Sequence, residues 1–237
     1  MTEANSLALF DADNYLAINT ARWTLAQHVI GSLRASGLPM ETAYDLGAGP
    51  GWFAGRLSDA GFDVVALEGR EDVAAEGRRR TPQARFEVFD FDDCGLSDLR
   101  PERDFALGFG ILYHLENPLR ALRIMSALTR HVLLLETMTL PSGLPAARVI
   151  RENPNVTQGV RPLAMLLSPA AIEQGLWAAG FSHVYRCARN VAHEDFSDFP
   201  NRHRRRHIWL AARRDLDVEG FEPAATQEPR RENYWQR

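Results

Sequence analysis

Three short apolar runs, 42–46, 63–67 and 85–89, are separated by two stretches of helical spacing, 51–60 and 71–80. That order leaves the chain little choice. Strands that alternate with helical crossovers must run parallel, because a parallel pair needs a connection of a dozen or more residues. The rhythm resumes with a run at 105–109, a helix through Leu119, Leu122, Met125 and Leu128, and the strongly apolar run 131–135. Ahead of it, Ile18, Leu25, Val29 and Leu33 make the stripe of an amphipathic helix over 15–33. Ser168-Pro169 supplies an N-cap and a first-turn proline for a helix that stops at Gly180. Runs at 181–186 and 207–212 follow, bringing the strands to seven.

One domain over 1–213 is expected, with an N-terminal helical cap at about 1–38 and a poorly hydrophobic tail at 214–237. Residues 137–167, rich in Pro and Gly and carrying Arg148, Arg151 and Arg161, read as an insertion above the sheet. With 45% hydrophobic residues the chain can bury a core, and its 27 basic against 31 acidic residues give a net charge of −4, which offers nucleic acid no general attraction. Every basic residue is Arg and none is Lys, which excludes Schiff-base chemistry and a P-loop lysine. Cys94 and Cys187 stand in no metal-ligand or disulfide pattern. No apolar run is long enough for a membrane helix, and Met1-Thr2-Glu3-Ala4-Asn5 lacks the start of a secretory signal, so a cytoplasmic location is expected.

The run Tyr44-Asp45-Leu46-Gly47-Ala48-Gly49-Pro50-Gly51 falls where the first strand gives way to the first crossover helix. Glycines there let the backbone turn sharply and approach a ligand closely, next to the free N–H groups of a helix start. Glu68, seventeen residues past Gly51 at the tip of the second strand, is placed to accept from the hydroxyls of a ribose. At the tip of the third strand, Asp90, favoured over Asp92, is placed to accept from an adenine amino group, with Phe91 to cover the base. Gly49-Pro50-Gly51-Trp52-Phe53-Ala54 formally satisfies a dinucleotide fingerprint. The frame Asp45-x-Gly47-x-Gly49-x-Gly51 uses every special residue, however, and the Asp45 carboxylate suits a cofactor's ammonium better than a pyrophosphate.

With these residues the chain resembles the class I S-adenosylmethionine-dependent methyltransferases, by motif over about residues 40–136 and by element order beyond. The resemblance implies a Rossmann-like seven-stranded, mostly parallel α/β sheet with an antiparallel last strand and helices on both faces. It implies that Asp45, Gly47, Ala48, Gly49 and Gly51 hold the methionine part of S-adenosyl-L-methionine, Glu68 the ribose, and Asp90 with Phe91 the adenine. Phe109 and Gly110, ending the fourth strand, would contact the methionine moiety. The following Leu112-Tyr113-His114-Leu115 stretch looks like the LYHL segment of methyltransferases acting on small molecules and of a tRNA wobble-uridine modifying group.

His114 is a candidate general base or a loop-holding histidine, and Tyr113 lines the acceptor pocket or packs. Glu136 reaches substrate or is solvated. The fourth strand ends without the acid of the catechol type, so no metal is expected, and neither Asn-Pro-Pro-Tyr nor a Pro-Cys nucleophile occurs, which disfavours DNA. Arg78-Arg79-Arg80 and Arg202-His203-Arg204-Arg205-Arg206-His207 are solvated surface or contacts for a phosphate or RNA. Arg22 and the insertion's arginines would gate the cofactor or bind an anionic substrate. The expected function is methyl transfer to an oxygen or nitrogen of a small-molecule metabolite. A tRNA-modifying enzyme, an NAD-dependent oxidoreductase and a catalytically silent binding protein stand as rivals.

Overall fold

The computed structural model describes residues 7–95, 98–153, 155–198 and 205–224. A 3₁₀ turn at Ala8–Asp11 leads into α1 (Asp13–Ala35). The first half then runs β1 (Thr42–Leu46), α2 (Trp52–Asp59), β2 (Asp63–Glu68), α3 (Glu71–Arg80) and β3 (Arg85–Val88). The second half runs β4 (Arg103–Phe109), α4 (Pro118–Leu128), β5 (Thr129–Met138), β6 (Ala147–Arg151), β7 (Leu163–Leu167), α5 (Pro169–Ala178), β8 (His183–Cys187), β9 (Arg206–Ala212) and β10 (Phe221–Pro223).

Strand order in the main sheet is β10-β8-β9-β5-β4-β1-β2-β3, with β9 antiparallel to both β5 and β8. The period-two alternation of the strands divides the core between two faces. Ala43, Val64, Phe105, Leu107 and Leu134 meet α1 and α2 on one side; Leu46, Val65, Leu67, Leu133 and Trp209 meet α4 and α5 on the other. Among the described residues no helix is long and apolar enough to cross a membrane.

The sheet has eight strands where seven were expected. The additional one, β10, lies within the stretch read as tail and pairs antiparallel with β8. Its three residues, Phe-Glu-Pro, carry no strand pattern, and a proline is tolerated there because the strand is an edge. Val218, 5% exposed, anchors it to the core. The insertion is a hairpin, β6 against β7, tied back at both ends: Met165 N donates to Leu115 O at 3.0 Å, and Ser168 Oγ accepts from Ala146 N at 3.0 Å as well as capping α5 through Ala171 N at 3.3 Å.

Gly51 begins α2 with φ +92°, and a Cβ there would stand 2.7 Å from both Phe86 Cζ and Thr81 Oγ1. The need for glycine is thus a matter of packing against β3. Gly51→Ala is expected to cost about 2–4 kcal/mol through left-handed strain and overlap, read as a lower urea midpoint; an unchanged midpoint would show that the turn relaxes freely.

Candidate functional site

Strand order reverses between β1 and β4, since β2 and β3 lie to one side of β1 while β4 and β5 lie to the other. Open α/β sheets bind ligands in the crevice outside such a switch point. A cleft of about 920 Å³, counted to its open mouth, lies there. Gly47, Ala48 and Gly49 form its floor, and Phe109, Gly110, Tyr113 and His114 one wall. Glu68, Asp90 and Phe91 line the other end. Phe10, Tyr15, Trp52 and residues 156–160 of the insertion complete it.

Two residues expected to touch the cofactor, Asp45 and Gly51, are not among those lining the cleft. Asp45 faces Ala66 and Leu107 across the sheet, one residue short of the end of β1. On that pleat its side chain lies beneath α2, accepting from Ala54 N–H, with Oδ2 unpartnered. Burial pushes its carboxyl up to about 7, with that N–H pulling down and Glu68 pushing up.

Glu68 braces the turn. Its Oε2 accepts from Gly49 N at 2.8 Å and its Oε1 from Arg70 N at 3.0 Å. Burial raises its pKa above the ordinary carboxylate value, opposed by those two N–H groups. Each carboxylate oxygen keeps a further lone pair for a second donor. A Cβ on Gly49, at φ +54°, would project toward Phe10 and Tyr15 at 3.5 and 3.8 Å, so a side chain there would fill the cleft.

At the tip of β3, Asp90 Oδ2 accepts from Arg161 Nη2 at 3.0 Å, and Phe91 meets Phe89 edge to face at 5.0 Å. Asp92 turns away, its two oxygens accepting from Glu116 N and Asn117 N at 2.9 Å just ahead of α4. Arg70 Nη2 donates to Gly159 O at 2.9 Å, so 156–160 is strapped down beside the two acids.

His114, on a 3₁₀ turn after β4, sets Nδ1 3.0 Å from Glu152 Oε1. Glu152 follows β6 and is 8% exposed; its Oε2 accepts from Gly159 N at 3.3 Å. Burial raises the Glu152 pKa, but the His114 hydrogen bond and charge and the Gly159 N–H outweigh it and leave the carboxyl below its usual value. The Tyr113 and His114 rings lie 4.0 Å apart. Glu152 was not foreseen: it sits in a polar loop 38 residues from its partner, with no motif to mark it.

Glu136 is neither solvated nor part of the cleft lining. It is fully buried, Oε2 2.7 Å from Arg22 Nη2 and Oε1 accepting from Arg206 Nη1 at 3.0 Å. Arg206 also donates to Tyr113 Oη at 3.2 Å. Of the arginines considered as gates, Arg22 lines the cleft, Arg161 pairs with Asp90 and Asp93, and Arg148 and Arg151 point outward from β6. Arg78, Arg79 and Arg80 pair with Glu71, Glu76 and Asp11. Arg202, His203 and Arg204 lie outside the described residues.

Solved structures share this fold. The N-terminal domain of EvdMO1 with SAH bound superposes with a TM-score of 0.63 at 18% identity, over 86% of this chain and 85% of that one. Magnesium protoporphyrin IX methyltransferase (ChlM) from Synechocystis PCC 6803 with bound SAM gives 0.60 at 18%, over 90% and 92%. An S-adenosylmethionine dependent methyltransferase from Mesorhizobium loti gives 0.54 at 18%, over 74% and 92%. No curated protein sequence matches. The family model described as "Methyltransferase domain" matches residues 35–186, more than half of the chain's 237. The chain therefore belongs to the methyltransferase-domain family.

Proposed function

We propose that this methyltransferase draws on S-adenosylmethionine and methylates an oxygen or nitrogen of a small-molecule metabolite, with His114 as the base that accepts the acceptor's proton. The observation that carries this reading is the 3.0 Å contact between His114 Nδ1 and buried Glu152, with His114 lining a cleft that Glu68 and Asp90 also line. The residues present fit the cofactor: a floor whose Gly49 position a side chain would fill, and two carboxylates at successive strand tips. Gly47, Ala48 and Gly49 would lie against its amino-acid end, Glu68 would take the ribose hydroxyls, and Asp90 and Phe91 the adenine.

When bound, S-adenosylmethionine supplies an electrophilic methyl group on a sulfonium, transferred by in-line displacement. The chain's own contribution is alignment and one proton. With Nδ1–H donated to Glu152, Nε2 keeps a lone pair for the acceptor's proton, and the carboxylate holds the imidazolium that forms once the proton arrives. The 156–160 strap, anchored by Arg70, excludes water from that side.

Two observations favour this reading over its rivals. The N–H groups of Gly47 and Ala48 both go to Leu67 O, at 2.8 and 3.0 Å, and that of Gly49 to Glu68, so the turn has few donors to offer a dinucleotide's pyrophosphate. The triple arginine 78–80 is neutralised within α3 and by Asp11, which weighs against RNA contact there. The name of one similar structure, the magnesium protoporphyrin IX methyltransferase, also points to a small-molecule acceptor.

Titration calorimetry with S-adenosylhomocysteine tests the cofactor half. Glu68→Ala is expected to weaken binding about 10- to 100-fold, the worth of charge-assisted hydrogen bonds, and Gly49→Arg to abolish it by filling the floor. Unchanged affinity in both variants would refute the assignment.

A further inference from the structure

Exposed apolar side chains gather on the insertion. Of the seven large hydrophobic residues that stand exposed among the described residues, four belong to it: Leu144 at 74%, Val149 at 61%, Val160 and Leu163. Such a gathering marks an interaction site, where single scattered residues would not. In the hairpin β6 is the outer strand, since only β7 pairs with it and Met165 N of β7 turns to Leu115 O. Val149 stands opposite Met165 and Arg151 opposite Leu163, so these four share one face. Ala146 O accepts from Ser168 N, and Pro162 O accepts from Glu152 N. That register turns the even-numbered backbone groups of β6 inward and leaves those of Ala147, Val149 and Arg151 on the open edge.

The charge of this surface is one-sided. Between 139 and 167 the ionisable side chains are Arg148, Arg151, Arg161 and Glu152. Glu152 is turned inward on His114, and Arg161 is held by Asp90 and Asp93. Arg148 and Arg151 are exposed and meet no acid among the described residues. A second copy of the chain fits this edge poorly, because antiparallel self-pairing of β6 would lay both copies' free arginines along one ladder with no acid between them. A lipid surface with anionic headgroups fits both features at once. The guanidiniums meet phosphate and the apolar side chains enter the interfacial layer, where water still serves the open backbone groups. We propose that the β6–β7 hairpin docks the protein on the surface of an anionic bilayer, lying on it without crossing it. Residues 156–160, in the connection between the two strands, line the cleft and so hold it beside that surface. The docking is independent of the cofactor and of the base.

Co-sedimentation with vesicles tests it, using phosphatidylcholine alone and phosphatidylcholine mixed with an equal amount of phosphatidylglycerol. The protein is expected to bind the mixed vesicles at least about tenfold more tightly, and to lose that binding as salt is raised. Arg148→Gln/Arg151→Gln is expected to weaken it about 10- to 30-fold, from about fivefold for each arginine near an anionic surface. Leu144→Ser/Val149→Ser is expected to weaken it at least about fivefold through lost apolar burial. All four positions are exposed, so both variants keep the urea midpoint of the wild type. Equal binding to the two kinds of vesicle, binding to neither, or binding that either double variant leaves unchanged overturns the proposal. So does a dimer in light scattering that Leu144→Ser/Val149→Ser dissociates, since the face would then belong to a second copy of the chain.

Discussion

His114→Ala is expected to lower kcat by about 10²- to 10⁴-fold, the usual worth of a positioned base, while S-adenosylhomocysteine binds as in the wild type. The two readouts separate chemistry from folding and from cofactor capture, because kcat reports the proton step and calorimetry reports binding. Glu152 is a positioning residue in this scheme, and its variants grade the effect. Glu152→Gln keeps the shape but not the charge beside Nδ1, and Glu152→Ala removes both, so the loss in kcat should deepen in that order with KM for cofactor little moved. Loss of cofactor affinity in parallel with kcat would instead mean that Glu152 only holds the strap through Gly159.

The pH dependence of the strap follows from the same pair. The Glu152 carboxyl lies below its ordinary value because His114 and the Gly159 N–H outweigh its burial. A depressed carboxylate contributes stability that is present above its unfolded pKa, about 4.5, and lost as pH falls through the folded value. The contribution of this pair to strap docking is therefore present at neutral pH and lost in acid, while the Arg70 hydrogen bond to Gly159 O is retained.

What the sequence discloses here is what lies close together along it. The alternation of strands and helices, the glycine floor and the acids at the tips of β2 and β3 are each set by a few adjacent residues, and Glu68, Asp90 and Phe91 all line the cleft as read. Asp45 lies outside the cleft lining for a local reason: one step back from the strand end, its side chain turns under α2 instead of over the rim. The contacts that give the site its charge balance are long-range and left no pattern. Glu152 reaches His114 across 38 positions and Arg206 reaches Glu136 across 70, the second over the antiparallel β5–β9 pair, and no motif encodes either. The eighth strand escaped for a different reason, since three residues at an edge are held by pairing with β8 rather than by their own apolar pattern.

Glu136→Ala is expected to destabilise the fold by about 3–5 kcal/mol, the cost of leaving buried charge uncompensated. Here one carboxylate, fully buried, stands between two guanidiniums that are themselves shielded: Arg22 at 2.7 Å and Arg206 at 3.0 Å, with side chains 5% and 12% exposed. Arg206 keeps Tyr113 Oη and an Asp195 contact at 3.4 Å, whereas Arg22 keeps only Asn19, so most of the penalty should fall on α1 and its grip on the sheet. Urea unfolding of Glu136→Ala measures the loss, and the double variant Arg22→Met/Glu136→Leu identifies its cause. If uncompensated charge is responsible, removing the pair together with apolar side chains of similar length recovers much of the stability that the single change forfeits. If instead the double variant falls further than the single one, packing around the β5 strand end rather than charge governs this corner of the protein.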